Sequence, residues 1–101
     1  MDVVREFRTA AVRLHVLHHA AEGEVHGAWM STELGHHGHR ISAGTLYPLL
    51  HRMEEAGLLM SHTKVVDGRR LRLYRATSRG RTVLRQCRSA LSELADELVP
   101  S

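Results

Sequence analysis

The sequence predicts a mainly α-helical domain carrying one small β-hairpin, and three observations predict it. Apolar residues recur at three- and four-residue spacings in separate stretches, as the buried face of a helix requires. That period gives way to alternation over residues 58–76, around a single Asp67-Gly68 pair. A chain of 101 residues, 43% hydrophobic but with only Phe7, Trp29, Tyr47 and Tyr74 as aromatics, supports one modest core. A core that small gains from dimerisation, which covers apolar surface that a monomer leaves in water.

The first helix is predicted over about residues 3–21, where Val3, Val4, Phe7, Ala10, Ala11, Leu14, Leu17, His18 and Ala21 keep a 3.6-residue period. Glu22-Gly23-Glu24 breaks it. A shorter helix follows from about Gly27 to Leu34, with Ala28, Trp29, Met30 and Leu34 expected to be buried. The stretch GHHGHR, residues 35–40, makes a turn. A third helix opens at Ser42, whose hydroxyl is expected to accept a hydrogen bond from a first-turn N–H, and Gly57 ends it. Leu46, Leu49, Leu50 and Met53 form its inward stripe, while Thr45, Pro48, His51, Arg52 and Glu55 look outward. Pro48 is out of place, because in a helix interior its missing N–H and its ring cost roughly 3 kcal/mol. Positions that break a local rule are often functional. A kink or a late helix start is the plain alternative.

Asp67-Gly68 between Val65-Val66 and Arg69 signals a type I′ hairpin pairing roughly Met60–Val66 with Arg69–Ala76. On the return strand Arg70, Arg72 and Tyr74 alternate with Leu71 and Leu73, which predicts one cationic face. Thr77 or Ser78 then caps a last helix reaching about Val99. Its Leu84, Cys87, Leu91, Leu94 and Leu98 are spaced three, four, three, four, the seam of a helix that pairs with another helix. The domain's own core can cover only the start of that seam, so a two-fold homodimer interface is expected along it. Packing wholly within the chain is the alternative.

Charge is unevenly distributed. Residues 1–59 carry five Lys/Arg against seven Asp/Glu, residues 60–81 seven against one, and residues 82–101 two against three, within a net charge of +3. The local excess on the hairpin is the footprint expected for phosphate contacts; a solvated face is the bland reading. An enzyme is not indicated: no paired carboxylates lie in an apolar context, Cys87 has no obvious base, and no phosphate-cradling glycine loop appears. A lone cysteine forms no internal disulfide and reads as a small core residue. No 18-residue apolar run and no signal peptide are present, so no membrane association and a cytoplasmic location are expected.

Helix, turn, helix and a cationic ribbon make a winged helix-turn-helix DNA-binding domain over 1–76, with a C-terminal dimerisation helix over 77–101 as part of the same compact unit. A two-fold dimer presents two reading helices, so double-stranded DNA with a palindromic operator is the expected partner. Ser42, Thr45, Tyr47, Pro48, His51 and Arg52 are the candidates near base edges or flanking phosphates. Lys64, Arg69, Arg70 and Arg72 are the candidates for phosphates or the minor groove. A non-catalytic interaction module whose C-terminal helix docks a partner is the rival reading.

The stretch GTLYPLLHRMEEAGLL, preceded by the His-Gly of HGAWMSTEL and followed by DGRRLRLYRATSRGR, closely resembles the PadR family of winged helix-turn-helix transcription regulators over about residues 10–85. The resemblance implies a repressor whose helix from Ser42 enters the major groove, with Tyr47 and Pro48 on the family's TLYP motif. It also implies that the helix after Thr77 dimerises with its mate and with the first helix. Ending at Ser101, the chain looks like the compact branch with a single such helix, and Ala28-Trp29 stand where many members have a tyrosine after His-Gly. In that branch planar apolar or phenolic compounds are sensed at the dimer interface, which makes Phe7 and Trp29 candidates for an effector pocket.

Nine histidines suggest a metal effector instead. His15 and His19 are one helical turn apart, as are His18 and Glu22, and imidazoles at that spacing share zinc, cadmium or nickel. His36, His37 and His39 form a second, looser cluster. Solvated or hydrogen-bonded histidines are the ordinary alternative for both.

Overall fold

A computed structural model of the chain describes residues 1–101. Helix α1 spans Val3–Glu22, with the Asp2 carboxylate accepting a hydrogen bond from the Arg5 N–H at 3.0 Å as its cap. A two-residue strand β1, Val25–His26, leads into α2, Gly27–His36, and a connection leads to α3, Ala43–Glu55. Strands β2, Leu59–Val66, and β3, Arg69–Ala76, form the hairpin, and α4 runs Ser78–Leu98. The sheet is antiparallel in the order β1-β3-β2, with Val25 opposite Tyr74. The hairpin thus gains a third strand that a sequence period cannot reveal in two residues.

Local chemistry fixes the boundaries. Asp67 and Gly68 take φ of 51° and 75°, the left-handed pair that a type I′ turn demands. Gly57, at φ 78°, closes α3: its N–H donates to the Glu54 carbonyl at 2.9 Å and the Leu58 N–H to the Met53 carbonyl at 3.0 Å. Thr77 caps α4, its hydroxyl accepting from the Gly80 N–H at 3.0 Å. Ser42 does not cap α3 as expected; its hydroxyl instead lies 3.2 Å from that of Thr45. The helix starts upstream of Pro48, at Ala43, so a late start does not account for that proline.

One core of 14 buried apolar residues joins α1 (Val16, Leu17, Ala20), α2 (Met30, Leu34), α3 (Leu46, Leu49, Leu50, Met53), the sheet (Val25, Leu59, Tyr74, Ala76) and Leu84 of α4. Two expectations are corrected. Ala28 and Trp29 are exposed rather than buried, because the side of α2 that turns inward is the one carrying Gly27, Met30 and Leu34. On α1 His19, not His18, is the buried histidine, and Val3, Val4 and Phe7 stay in water.

The molecule measures 50 × 27 × 26 Å. Within α4 only Gly80 and Leu84 are buried, and Leu91, Leu94 and Leu98 are 47%, 45% and 65% exposed. Most of the seam therefore has no cover within the chain.

Candidate nucleic-acid interface and histidine cluster

The outward side of α3 is built by what its inward side must do. Burying Leu46, Leu49, Leu50 and Met53 turns Thr45, Pro48, His51 and Arg52 to solvent, with Ser42 just ahead of the first turn. His51 is held by Glu55 one turn on, at 2.6 Å. Tyr47 is 43% exposed, yet its ring packs against the start of α2: a Cβ on Gly27 would come within 2.6 Å of its Cε1. Gly27 is thus the gap into which Tyr47 fits, and the pair sets the spacing between the two helices.

The ribbon is anchored to α3 at its base. Ser61 donates to Glu54 at 2.7 Å, Arg72 Nε donates to Ser61 at 3.1 Å, and Arg72 Nη2 lies 3.9 Å from Glu54. Beneath them Tyr74 is buried, and that burial raises its hydroxyl pKa. Arg72 therefore works as a brace as well as a surface cation. Arg70, Arg72 and Tyr74 share one face of β3, as the alternation predicts, and the register adds cations on the opposite face. Val65 pairs with Arg70 and Thr63 with Arg72, whereas Lys64 pairs with Leu71 and Val66 with Arg69, so Arg70 and Arg72 share one face and Lys64 and Arg69 the other. Lys64, Arg69 and Arg70 have no ion-pair partner in the chain.

Beside α3 lies a cleft of about 660 Å³ whose lining includes Asp2 ahead of α1, Arg5 and Arg8 of α1, His39 and Arg40 of the connection, and Thr45 and Arg52 of α3. Counting charge along the chain missed it, because these cations are scattered through a segment that is net acidic and only the fold gathers them.

A second, largely apolar groove of about 530 Å³ runs between α1 and α4, lined by Phe7, Ala10, Leu14, Leu84, Cys87, Leu91 and Leu94 among others. Trp29 lies elsewhere, in a cleft with His19, Glu22 and His26. Phe7 and Trp29 therefore do not share the one effector pocket expected of them.

The histidines regroup. His15, His18, His19 and Glu22 do not form one ligand set; His19 is common to two, His15–His19–His37 and His18–His19–Glu22, each with candidate ligand atoms within 4.8 Å of one another. The looser cluster divides too: His37 and His39 bring their rings to 4.7 and 5.3 Å from that of His15, while His36 lies 3.9 Å from Glu33. Burial lowers the pKa of both His15 and His19, and the neighbouring imidazoles lower them further. His18 links the cluster to α4: Arg88 Nη2 is 2.8 Å from its Nδ1, and its Nε2 is 3.4 Å from Glu22.

The model of the transcriptional regulator PadR-like family matches residues 16–86. The chain belongs to the PadR-like family. It is 62% identical over 96 residues to the transcriptional regulator Rv3488 of Mycobacterium tuberculosis, covering 95% of this chain and 90% of that one. Among solved structures it is similar to a PadR family transcriptional regulator from Eggerthella lenta, with 34% identity, a TM-score of 0.81, and coverage of 92% of this chain and 82% of that one. It also shares a fold with Bacillus subtilis PadR solved in complex with operator DNA, at 20% identity and TM-score 0.65 over 73% of this chain and 44% of that one. PadR-like proteins are transcriptional regulators, so this member is a regulator and not an enzyme. Its winged helix is the PadR fold, and no helix is long and apolar enough to cross a membrane.

Proposed function

We propose that this chain acts as a homodimeric, sequence-specific DNA-binding repressor in the cytoplasm, with residues 1–76 reading the operator and 77–101 joining the subunits. The observation that carries it is the pairing of α3's wholly exposed outward side with a ribbon bearing three unpaired cations, Lys64, Arg69 and Arg70. In this reading Ser42, Thr45, Tyr47, Pro48, His51 and Arg52 face the major groove. The ribbon cations and the Arg5, Arg8 and Arg40 group meet phosphates on either side.

Dimerisation supplies the second reading head. The exposed Leu91, Leu94 and Leu98, together with the groove edged by Phe7, fit a second copy's α4. An effector then releases DNA by favouring one arrangement of the dimer over another. Two classes of effector suit the surfaces: a divalent transition metal such as zinc, cadmium or nickel at the histidines, or a hydrophobic small molecule in the α1–α4 groove.

The test is fluorescence anisotropy with duplex from upstream of the protein's own gene, across a salt series. Affinity should fall steeply with salt, and an Arg69→Ala, Arg70→Ala variant that still dimerises should lose about 0.9 in log–log salt slope for each phosphate contact removed. Arg72 is left intact because its loss would loosen the ribbon itself. An unchanged slope and affinity would refute the role given to the ribbon.

A further inference from the structure

We infer that His15, His19 and His37 form a three-imidazole site for a divalent transition ion that fastens α1 to the connection between α2 and α3. The inference rests on the metal-responsive reading above and assigns it a place and a ligand set.

Geometry is the first support. Two ligands come from one turn of α1 and the third from the residue that follows α2, with ligand atoms within 4.8 Å of one another. An ion can draw three rings that close into its first shell with small rotations of the side chains. The second support is an orphan: His19 is 8% exposed and its Nε2 is buried without any hydrogen-bond partner. A buried polar nitrogen left unpaired is costly, and a bound ion gives its lone pair a partner.

The third support is a carboxylate behind the ligand. Glu33 Oε1 lies 3.2 Å from His37 Nε2, which fixes the proton on that nitrogen and leaves the Nδ1 lone pair for an ion. Glu33 itself is largely shielded, 26% exposed, so it holds the ring rather than drifting in solvent. A set of imidazoles alone suits zinc, nickel, cobalt or copper and disfavours magnesium, calcium and manganese, which need oxygen. His39, with its ring 5.3 Å from that of His15, is the adjacent donor for a fourth position.

The competing set, His18–His19–Glu22, lies wholly on α1 and would tie nothing to anything else. The His15–His19–His37 site, in contrast, pins the residue that follows α2 directly, ahead of Ser42 and α3. The ion thereby stiffens the segment that aims the reading helix.

The experiment titrates zinc into the chelator-stripped full chain without DNA, for the wild type, His37→Ala and Glu22→Gln. His37 is exposed and Glu22 is 65% exposed, so neither change removes core packing. His37→Ala should weaken zinc binding by at least about tenfold and Glu22→Gln by less than about twofold. Zinc should also slow amide hydrogen exchange across residues 37–42 in the wild type and not in His37→Ala. Equal zinc affinity in wild type and His37→Ala, selective loss in Glu22→Gln, or no zinc binding at all each overturns the site. Since no DNA is present, a protein that binds zinc as expected yet ignores operator DNA would sink the repressor reading and leave the site standing.

Discussion

Replacing Gly80 by alanine sets two forces of opposite sign against each other. Helix propensity favours alanine over glycine by about 0.8–1 kcal/mol, so a reading of α4 as an isolated helix predicts stabilisation. The fold predicts the reverse. A Cβ at Gly80 would stand 2.1 Å from the Leu58 carbonyl oxygen and 3.4 Å from Leu17 Cδ2. The nearer obstacle is backbone, and real Cβ atoms essentially never come within 3.0 Å of another heavy atom, so α4 must withdraw by roughly an ångström. That withdrawal pulls on three bonds at one corner: Thr77 N–H to the Leu58 carbonyl at 3.1 Å, Thr77 hydroxyl to the Gly57 carbonyl at 2.6 Å, and the Gly80 N–H cap at 3.0 Å. Overpacking costs about 1–3 kcal/mol and a weakened cap about 1 kcal/mol, which leaves a net loss of about 1–3 kcal/mol after propensity is subtracted. Urea unfolding at fixed protomer concentration reads it as a lower midpoint with unchanged slope. A midpoint equal to or above the wild type's would refute the close approach of α4 to the start of β2.

Leu91→Glu places a carboxylate on the seam twice per dimer and removes two leucines' worth of burial. Sedimentation equilibrium should show dimer dissociation strengthened roughly a hundredfold or more, and unchanged self-association would contradict a seam-mediated dimer. For the metal-free protein, His15 and His19 have folded pKa values below the ordinary 6.5. The unfolded chain therefore takes up protons first as pH falls, so their contribution to stability is complete above that value and is lost downward through it toward the depressed folded values. Thermal unfolding followed from pH 8 to 5 should show the decline, and His15→Gln should flatten it; an equal decline in that variant would remove His15 from the explanation. Ser61→Ala removes the hydroxyl that bridges Arg72 Nε and Glu54, leaving only their direct 3.9 Å contact, and should cost about 1 kcal/mol while lowering operator affinity. A fully stable variant with native affinity would show that the brace is idle.

What the sequence disclosed was whatever is written in neighbouring residues. Asp67-Gly68 encodes its own turn, and the stripe from Leu46 to Met53 encodes both the inward and the outward side of α3. Features made by distant residues were hidden. Val25-His26 are too few to show a period and become a strand only because β3 lies alongside. Trp29 reads as core by its chemistry but lies off the side of α2 that Gly27, Met30 and Leu34 turn inward. His37 meets His15 across 22 positions of chain, so two clusters in sequence become one in space. The cations at Arg5, Arg8 and Arg40 were masked by the acids of residues 1–59, of which Asp2 alone joins them at the cleft. Gly80 carried no signal at all, since its role is to let a backbone carbonyl approach.

The most direct test of a paired reader is a hydroxyl-radical footprint of the protein on the DNA upstream of its own gene. Two α3 helices held by one α4 seam should protect two symmetric patches whose centres are about 10 base pairs, or a multiple of that, apart on the duplex. A single patch, protection that follows no sequence, or none at low salt would contradict it.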